Sequence, residues 1–582
     1  MLFFKPICAN AQTQIEVPLN IQVEKSNLII EGRVVSKKSV WNAQHSGIFT
    51  INTIEVYKVF KGKQITKIDV ITPGGTVGDI TQSVYPSLKL NIDDIGLFTL
   101  HTNEERFNSN SNESFMLYSS AQGFYKYDLL ENKAVNPFSI VKDITTSLYQ
   151  SIEELTKSKY KIIGLFDVKA KVSKLSKNKA LSAPSNITFS PSSIPAGAES
   201  VLTINGTGFG SVKGKVAFAN ADDGGFTFID ALDSQVFSWS DTEITVNVPE
   251  RAGTGLIRVT DGNDDSEVSL DQLTITYALA NNDNNGNGPD ALMLQHFSSL
   301  SAPQNGDGSI VFQMNDGFDA NTLAKASFLR AINTWRCETG INWVMGNATS
   351  VNTAAIDNVS VIRFGSLPDG VLGRCSTIVS SCNGTRDLAG EFDITFSDSV
   401  DITWYYGTGV TPGAEYDFES VAVHELGHAH LLGHVIDNND IMHFTIGNGQ
   451  FMRTLNSNNT EGAGAVQLLG TTSSVCNPTS APLMTDYSGV DCPPLDVQDK
   501  SLEHSISFYP NPAKTELFIE NNASLVLNSV ALFDVSGRLI LTYDISEAPK
   551  VKILDVSGMS SGVYFIKVAS NTSSVTRKIV IE

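Results

Sequence analysis

Alternating apolar and polar residues mark most of this chain as strand-forming. Residues 12–165 are dominated by short alternating runs, and residues 184–278 combine β-branched residues with glycines that suit tight turns. Residues 506–582 repeat the pattern in short runs separated by glycine and proline, which predicts a small β-sandwich. In the first region we predict strands over 28–35, 48–60 and 95–100. Three all-β modules are therefore expected.

A helical period appears between the second and third of these modules. Ser327–Trp335 places its apolar residues at the spacing of one helix face, whereas Phe392–Phe396 alternates like a half-buried strand. Asp417 precedes an unbroken apolar run, which predicts a second helix with this aspartate as its cap. The predicted fold class is therefore multidomain, with an α+β domain over 291–490 flanked by all-β modules.

The second predicted helix carries the residues that indicate chemistry. His424 and His428 are four residues apart, so both lie on one helix face with Cβ atoms about 5–6 Å apart and can bind one metal ion. Glu425 points about 100° round the helix axis, towards the open position on a zinc ion. Zinc held by three neutral imidazoles, with His434 as the third, would activate water. Glu425 is then expected to take the proton as general base and return it to the leaving amine.

The run His424–His434 resembles the metzincin motif HExxHxxGxxH, in which the helix stops after the second histidine and the chain turns to bring in a third. The resemblance implies His434 as third zinc ligand and Met442 as the methionine that forms an apolar floor beneath the ligands, as in matrix-metalloproteinase-like members. Leu431 stands where the family has glycine. A leucine with positive φ costs on the order of 1 kcal/mol, so either this strain is tolerated or the turn has moved to Gly433.

Flanking segments extend the resemblance to about residues 291–490. Ser327–Trp335 looks like the first helix of a matrix-metalloproteinase-type domain, Phe392–Phe396 like the edge strand that pairs with extended substrate, and Glu461–Gly470 like the closing helix. The zinc run is far more specific than these flanks. The resemblance implies a catalytic domain that acts on protein or peptide substrates.

Competing assignments concern the other histidines and one acid. Five of the nine histidines lie between His424 and His443. Such clustering argues against the alternative that they are ordinary surface residues of a polar helix. His430 lies two residues after a ligand, so we expect it to face solvent or to hydrogen-bond, and His443 has the same expectation. A ligand set with Glu461 replacing His434 is a minor alternative, because Glu461 resembles a helix-start residue.

Two of the all-β modules also resemble known domains. Residues 184–278 resemble an IPT/TIG domain, an immunoglobulin-like sandwich, and residues 506–582 resemble the C-terminal sorting domain of the type IX secretion system of Bacteroidetes. The matching stretches are Ser190–Gly197, Leu202–Gly210 and Trp239–Val246 in the first, and Phe508–Ala513, Leu532–Arg538 and Gly558–Val568 in the second. The sorting-domain resemblance implies the secretion machinery as a partner and a secreted or cell-surface location.

Composition suggests the remaining boundaries. We expect a partial signal peptide over 1–11 ending in Ala-x-Ala, and no transmembrane segment, because no window approaches roughly 18 apolar residues. The module over 12–165 is equally consistent with a scaffold and a pro-domain. Linkers are expected at 166–183, which is rich in lysine, at 279–290, which is rich in Asn and Gly, and at 491–505. The Asn/Gly linker offers oxygen ligands, but their spacing matches no calcium loop, so Ca2+ stays an unassigned alternative.

Five cysteines follow the signal region, which suits disulfides in an exported protein. Proximity in sequence suggests pairing Cys375 with Cys382 and Cys476 with Cys492, which leaves Cys337 over. A latency switch through Cys337 is not indicated, because the pro-segment motif of matrix metalloproteinases is absent.

The acidic balance, a net charge of −21 and a pI near 4.8, argues against nucleic acid as a partner. The sequence therefore predicts a secreted zinc-dependent metalloendopeptidase with His424, His428 and His434 as ligands and Glu425 as base. The alternative is a non-catalytic exported adhesin with a vestigial protease domain. Glu425 favours the enzyme, because zinc retention needs only the histidines whereas hydrolysis also needs a base.

Overall fold

A computed structural model describes most of the chain, which divides into two units, Met1–Ser488 and Gly489–Glu582. The described residues are 14–107, 112–177, 183–283, 292–297, 309–381, 386–472, 484–487, 489, 492, 506–521, 527–534, 539–545, 551–570 and 574–582. The expected signal segment 1–11, Cys382 and Cys476 lie outside these residues.

The N-terminal module consists mainly of strands, as its alternating pattern predicts. Its elements are α1 (Leu19–Lys25), β1 (Leu28–Trp41), β2 (Ile48–Lys61), β3 (Lys67–Pro73), β4 (Gly75–Val77), β5 (Ile80–Tyr85), β6 (Ile95–Thr102), β7 (Ser114–Leu117), β8 (Phe124–Asp128), β9 (Lys133–Asn136), β10 (Ser139–Lys142), α2 (Tyr149–Thr156), β11 (Lys161–Ile162) and α3 (Val168–Lys177). The order β1-β2-β3-β7-β6 closes on itself, because β1 pairs with both β2 and β6. The hairpin of β4 and β5 instead joins a sheet of the α+β domain. The lysine-rich segment expected as a linker contains α3.

Residues from 185 to 278 form two packed sheets, as expected for a sandwich. Their strands are β12 (Ser185–Ser190), β13 (Ser193–Ala196), β14 (Val201–Thr207), β15 (Lys215–Asn220), β16 (Phe228–Asp230), β17 (Val236–Trp239), β18 (Glu243–Asn247), β19 (Ala252–Thr260), β20 (Ser266–Val268) and β21 (Thr274–Ala278). One sheet has the order β12-β14-β18-β17 and the other β16-β15-β19-β20, while β13 and β21 form a separate parallel pair. Leu202 and Val246 of the first sheet and Phe218 of the second belong to one buried apolar cluster. This cluster is the core of the sandwich.

The α+β domain is organised around a mixed sheet. Its elements are β22 (Asn281–Asp283), β23 (Leu292–Phe297), β24 (Ile310–Met314), α4 (Asp316–Ala320), α5 (Thr322–Thr339), β25 (Trp343–Met345), β26 (Ser360–Gly365), β27 (Gly373–Ser381), β28 (Arg386–Ser397), β29 (Trp404–Tyr405), β30 (Tyr416–Asp417), α6 (Phe418–Ala429) and α7 (Ser457–Thr472). The sheet order is β25-β24-β26-β28-β27-β5-β4. Trp335 joins α5 to α6, because its indole N–H donates a 2.8 Å hydrogen bond to the carbonyl of Val423.

One sequence expectation about this sheet is wrong. Phe392–Phe396 does form a strand, within β28, but β28 lies between β26 and β27 and is not the edge strand. The reason is that β27 and β28 form an antiparallel hairpin, which places β27 outside β28. Among the domain's own strands, β27 is therefore the outer strand on this side of the sheet, and β25 is the outer strand on the other side.

The C-terminal unit has two sheets that share one core. Its strands are β31 (Ile506–Tyr509), β32 (Glu516–Asn521), β33 (Leu527–Asp534), β34 (Leu539–Asp544), β35 (Val551–Asp555), β36 (Gly562–Ser570) and β37 (Ser574–Ile581). Leu517 of the sheet β31-β32-β35 and Val530 of the sheet β34-β33-β36-β37 lie in the same buried cluster. This is the predicted small sandwich. Within the described ranges, no helix is long and apolar enough to span a membrane.

Candidate metal centre

Helix α6 presents the sequence-predicted metal ligands and begins at the predicted cap. The Asp417 carboxylate accepts a 2.9 Å hydrogen bond from the Ser420 N–H, and Arg453 forms an ion pair with the same buried carboxylate. These contacts satisfy a free N–H at the helix start, where a negative charge is also favoured by the helix dipole. The prediction of Asp417 as cap is confirmed.

The three predicted histidines converge at the C-terminal end of α6. His424, His428 and His434 each offer one ring nitrogen, and these nitrogens all lie within 4.8 Å of one another. Nε2 of His424 is 3.0 Å from Nε2 of His428. The three side chains are buried, at 2%, 2% and 3% exposure. The spacing in sequence thus produces a compact cluster of three imidazoles.

Hydrogen bonds fix which ring nitrogen of His424 and of His428 faces the cluster. Nδ1 of His424 lies 2.6 Å from the carbonyl oxygen of Ile441, and Nδ1 of His428 lies 2.9 Å from that of Leu432. A carbonyl only accepts, so both Nδ1 atoms carry a proton and both Nε2 atoms carry lone pairs in the neutral rings. Burial and the neighbouring histidines lower the pKa of His424, and burial lowers that of His428 to about 3, which favours the neutral rings.

This arrangement of nitrogen atoms fits a zinc ion. Two lone pairs 3.0 Å apart in a buried site repel each other unless a cation lies between them. A tetrahedral zinc with Zn–N bonds of about 2.0–2.1 Å separates its nitrogens by roughly 3.3 Å, close to the distance found. Nε2 of His434 is buried and, among the described residues, has no hydrogen-bond partner. The donor set and its unpartnered nitrogen therefore suit a zinc site with three imidazoles.

Glu425 is completely buried beside this cluster. Space for its carboxylate depends on Gly373 of β27, because a Cβ at that position would lie 2.6 Å from Oε1. Burial raises the pKa of Glu425 well above its ordinary value, and the opposing effects of the Arg374 charge and the Cys375 N–H are smaller. A carboxylate with a raised pKa is a stronger base than an exposed one.

The turn after α6 occurs at Leu431, as one of the two sequence alternatives proposed. Leu431 has φ of 61°, in the left-handed region, whereas Gly433 does not have a positive φ. The Leu431 N–H donates to the carbonyl of His428 at 2.9 Å, and the Leu431 side chain is buried in the domain core. The strain is thus tolerated, and the turn directs the chain towards His434.

Met442 lies beneath the ligands on α6, where the resemblance places it. A Cβ at Gly427 would come within 2.2 Å of the Met442 sulfur and 3.2 Å of Trp335. The absence of a side chain at Gly427 therefore lets Met442 pack directly on the helix between its two histidines.

The other candidate residues have different environments. His430 is fully buried, and its ring centroid lies 5.2 Å from that of Trp335 and 5.3 Å from that of Trp343. Of its two expected roles, facing solvent or hydrogen bonding, the first is therefore wrong. Apolar packing of α5 onto the end of α6 explains this burial. His443 is also buried, which lowers its pKa to about 4. Glu461 lies in the second turn of α7, outside the histidine cluster.

Two residues from outside the α+β domain contact the cluster and were not predicted. The Tyr85 ring of β5 stacks on His428, with centroids 4.4 Å apart and planes inclined by 15°. The Asp222 carboxylate of the sandwich accepts a 2.8 Å hydrogen bond from Nδ1 of His434. Neither residue belongs to a motif, so only the packing of the modules reveals them.

The cysteines depart from the sequence-based pairing. Cys337 and Cys492 are each disulfide-bonded, whereas Cys375 is a free, fully buried thiol in β27. The pairing of Cys375 with Cys382 and the exclusion of Cys337 are therefore wrong. Proximity in sequence is a poor guide here, because Cys375 points into the core of the sheet.

The fold and the histidine cluster define a multidomain, β-rich protein with a candidate metal centre. Residues 304–466 match the Matrixin family, residues 184–277 match the IPT/TIG domain, and residues 507–582 match the secretion system C-terminal sorting domain. These matches confirm the three resemblances drawn from the sequence. The Matrixin match implies zinc dependence, and the sorting domain indicates export through type IX secretion to the cell surface or extracellular space.

A metalloendoproteinase is similar in sequence to part of this chain. Metalloendoproteinase 2-MMP of Arabidopsis thaliana is 29% identical over 164 residues, which make up 28% of this chain and 41% of that protein. The chain thus matches less than half the length of this relative.

Proposed function

We propose that this protein is a secreted zinc-dependent metalloendopeptidase in which His424, His428 and His434 hold the metal and Glu425 is the general base. The observation that supports this most strongly is the convergence of three oriented imidazoles beside a buried carboxylate of raised pKa. When bound, zinc supplies Lewis-acid chemistry that lowers the pKa of water and polarises a scissile carbonyl. Met442 supports the ligands from below.

The residues of the chain have distinct parts in the proposed reaction. Glu425 takes a proton from the attacking water and passes it to the nitrogen of the leaving amine as the C–N bond breaks. The carbonyls of Ile441 and Leu432 and the carboxylate of Asp222 accept the Nδ1 protons of the three rings. They thereby keep the rings in the tautomer whose Nε2 is free to bind metal. Gly373 leaves space for Glu425 next to β27, so the base and the sheet edge are adjacent.

The competing function is an exported adhesin in which the zinc site is only structural. Comparison of the wild type with Glu425→Gln separates the two, because the glutamine keeps the shape of the side chain but cannot accept the proton. Both proteins should bind one zinc, and only the wild type should cleave a denatured protein substrate, with cleavage lost on chelation and restored by zinc. Glu461→Gln is the matched control and should cleave like wild type. Equal cleavage by wild type and Glu425→Gln would refute the proposed base.

A further inference from the structure

We infer that Asp222, in the sandwich domain, is a positioning residue for the third metal ligand, an inference that depends on the proposed zinc site. Its Oδ1 accepts the 2.8 Å hydrogen bond from Nδ1 of His434, and its Oδ2 accepts a 2.5 Å hydrogen bond from Nε of Arg251. The other two histidines donate to backbone carbonyls, so His434 is the ligand whose orientation depends on a side chain.

Asp222 is itself held firmly. It lies in a 3-10 turn, Ala221–Asp223, where the Asn220 side chain accepts the Asp222 N–H at 3.1 Å. Arg251 forms an ion pair with Oδ2 of this carboxylate, which leaves Oδ1 facing His434. A carboxylate bound to Nδ1 of a ligand histidine fixes the ring and increases the basicity of Nε2.

The chain that carries His434 also rests on the sandwich. The Gly433 N–H donates to the carbonyl of Ala278 at 2.8 Å. The side chain of Ile436 packs on Gly253, where a Cβ would lie 2.5 Å from Ile436 Cδ1. The IPT/TIG-type domain is thus a structural part of the metal centre and not only a spacer.

Zinc affinity measured by competition with a chromophoric chelator tests this role on the full-length protein. Asp222→Ala should lower zinc affinity about 10–100-fold, the usual effect of removing such a partner, and Asp222→Asn should lower it less, because its amide oxygen can still accept the Nδ1 proton. Asp233→Asn, an exposed carboxylate of the same domain, should bind zinc like wild type.

Absorption of the cobalt-substituted proteins distinguishes a change at the metal from general destabilisation. The visible bands should shift in Asp222→Ala and return towards wild type in Asp222→Asn. Zinc affinity of Asp222→Ala within threefold of wild type, with unchanged cobalt bands, would overturn the positioning role while leaving the zinc site intact. A wild type without zinc affinity would overturn the site and Asp222 together.

A separate observation concerns the hairpin of β4 and β5. We infer that this hairpin is an autoinhibitory element that occupies the edge of β27 in place of an extended polypeptide. β5 runs antiparallel to β27 over six residue pairs, from Tyr85 opposite Cys375 to Ile80 opposite Ser380. Because β27 is the outer strand of the domain's own sheet, β5 takes up the backbone groups that a peptide would pair with by strand addition.

The end of β5 also covers the metal centre. Tyr85 stacks on His428 and approaches His434 edge-on, with ring centroids 6.0 Å apart. With Glu425 fully buried, a polypeptide cannot reach the base in this arrangement.

Other contacts hold the N-terminal module over the site. Ser119 donates a 2.7 Å hydrogen bond to the carbonyl of Asp369, and the Ile15 N–H donates to Gly370 at 2.8 Å. Lys89, just after β5, forms a 2.6 Å ion pair with Glu250 of the sandwich. The sequence is equally consistent with a scaffold and a pro-domain for this module. These contacts favour the pro-domain, because they hold the module over the site that it would inhibit. Full activity requires that β5 leave β27, and cleavage by the wild type comes from the small fraction of molecules in which β5 has left.

A reversible crosslink tests whether β5 blocks access. Ser83 and Thr377 are opposite each other in the β5–β27 register, so Ser83→Cys/Thr377→Cys can form a cross-strand disulfide. The probe is a peptide hydroxamate, which needs access to zinc and the sheet edge but no hydrolysis. The oxidised double variant should not bind it, and reduction should restore at least the wild-type affinity.

Weakening the strand provides the opposite test. Ser83→Pro disturbs β5 and should increase hydroxamate affinity and peptide hydrolysis at least 10-fold over wild type. Ile140→Pro, on the outer strand β10 of the module's own sheet, is the matched control and should not. Equal hydroxamate binding by the oxidised and reduced crosslinked proteins would overturn the inhibitory role. If Ser83→Pro binds the probe but cleaves nothing, access is confirmed and the proposed enzyme function fails.

Discussion

The backbone N–H of Ala280 donates a 2.8 Å hydrogen bond to the carbonyl oxygen of Leu431. This contact joins the chain that leaves the sandwich to the one non-glycine turn residue in the zinc run, and a bridge between Leu279 and Leu432 reinforces it. The neighbouring strand therefore helps to hold Leu431 at φ of 61°, a conformation that would otherwise favour glycine.

Substitution of Leu431 should reveal both its strain and its packing. Leu431→Ala and Leu431→Gly both remove a buried side chain and should lower the free energy of unfolding by about 2–4 kcal/mol. Glycine is free of the φ penalty, so Leu431→Gly should be the more stable of the two by up to about 1 kcal/mol. Thermal unfolding of the metal-free proteins measures this order. A more stable Leu431→Ala would show that the turn is unstrained.

The histidine cluster could be predicted from the sequence, but its surroundings could not. An i, i+4 histidine pair on a helix fixes its own geometry locally, and the third histidine follows six residues later, after the turn at Leu431. Tyr85 and Asp222 approach from distant parts of the chain, and their positions depend on how whole modules pack. The alternating pattern of β28 also misled, because its polar residues Glu391 and Asp393 are buried: Glu391 accepts the N–H groups of the loop residues Asp357 and Asn358, and Asp393 accepts that of Val361 in β26.

Zinc retention should separate the ligands from the neighbouring histidines. His434→Ala removes a nitrogen of the cluster and should lose tightly bound zinc, whereas His443→Gln should retain one equivalent. Metal analysis after dialysis against a weak chelator measures this difference. Retention by His434→Ala together with loss by His443→Gln would mean that the ligand set is different.

Gly427 should be intolerant of a side chain although it lies in a helix. Helix propensity alone favours Gly427→Ala by about 1 kcal/mol. The added Cβ would lie 2.2 Å from the Met442 sulfur, so overpacking should instead destabilise the domain by about 1–3 kcal/mol and weaken zinc binding. Gly427→Ala/Met442→Ala should recover part of the zinc affinity. A stabilised Gly427→Ala with normal zinc affinity would contradict direct packing of Met442 on the helix.

Burial of Glu391 should make stability depend on pH. Its pKa is raised by burial from 4.5 to about 7, so the folded state binds a proton that the unfolded state releases. This contribution, about 3 kcal/mol, is complete below pH 4.5 and is lost as pH rises through 7. Glu391→Gln should therefore show a smaller loss of stability between pH 5 and 7.5, measured by thermal unfolding. Parallel losses in both proteins would exclude Glu391 as a source.

Hydrolysis as a function of added zinc tests the central claim most directly. Metal-free protein carrying Ser83→Pro, which weakens β5, is titrated with zinc while cleavage of a denatured protein substrate is followed. The rate should rise in proportion to zinc and level off at one equivalent. The same protein with Glu425→Gln should bind one zinc and stay inactive. Cleavage that does not respond to zinc, or that persists with Glu425→Gln, would contradict the account.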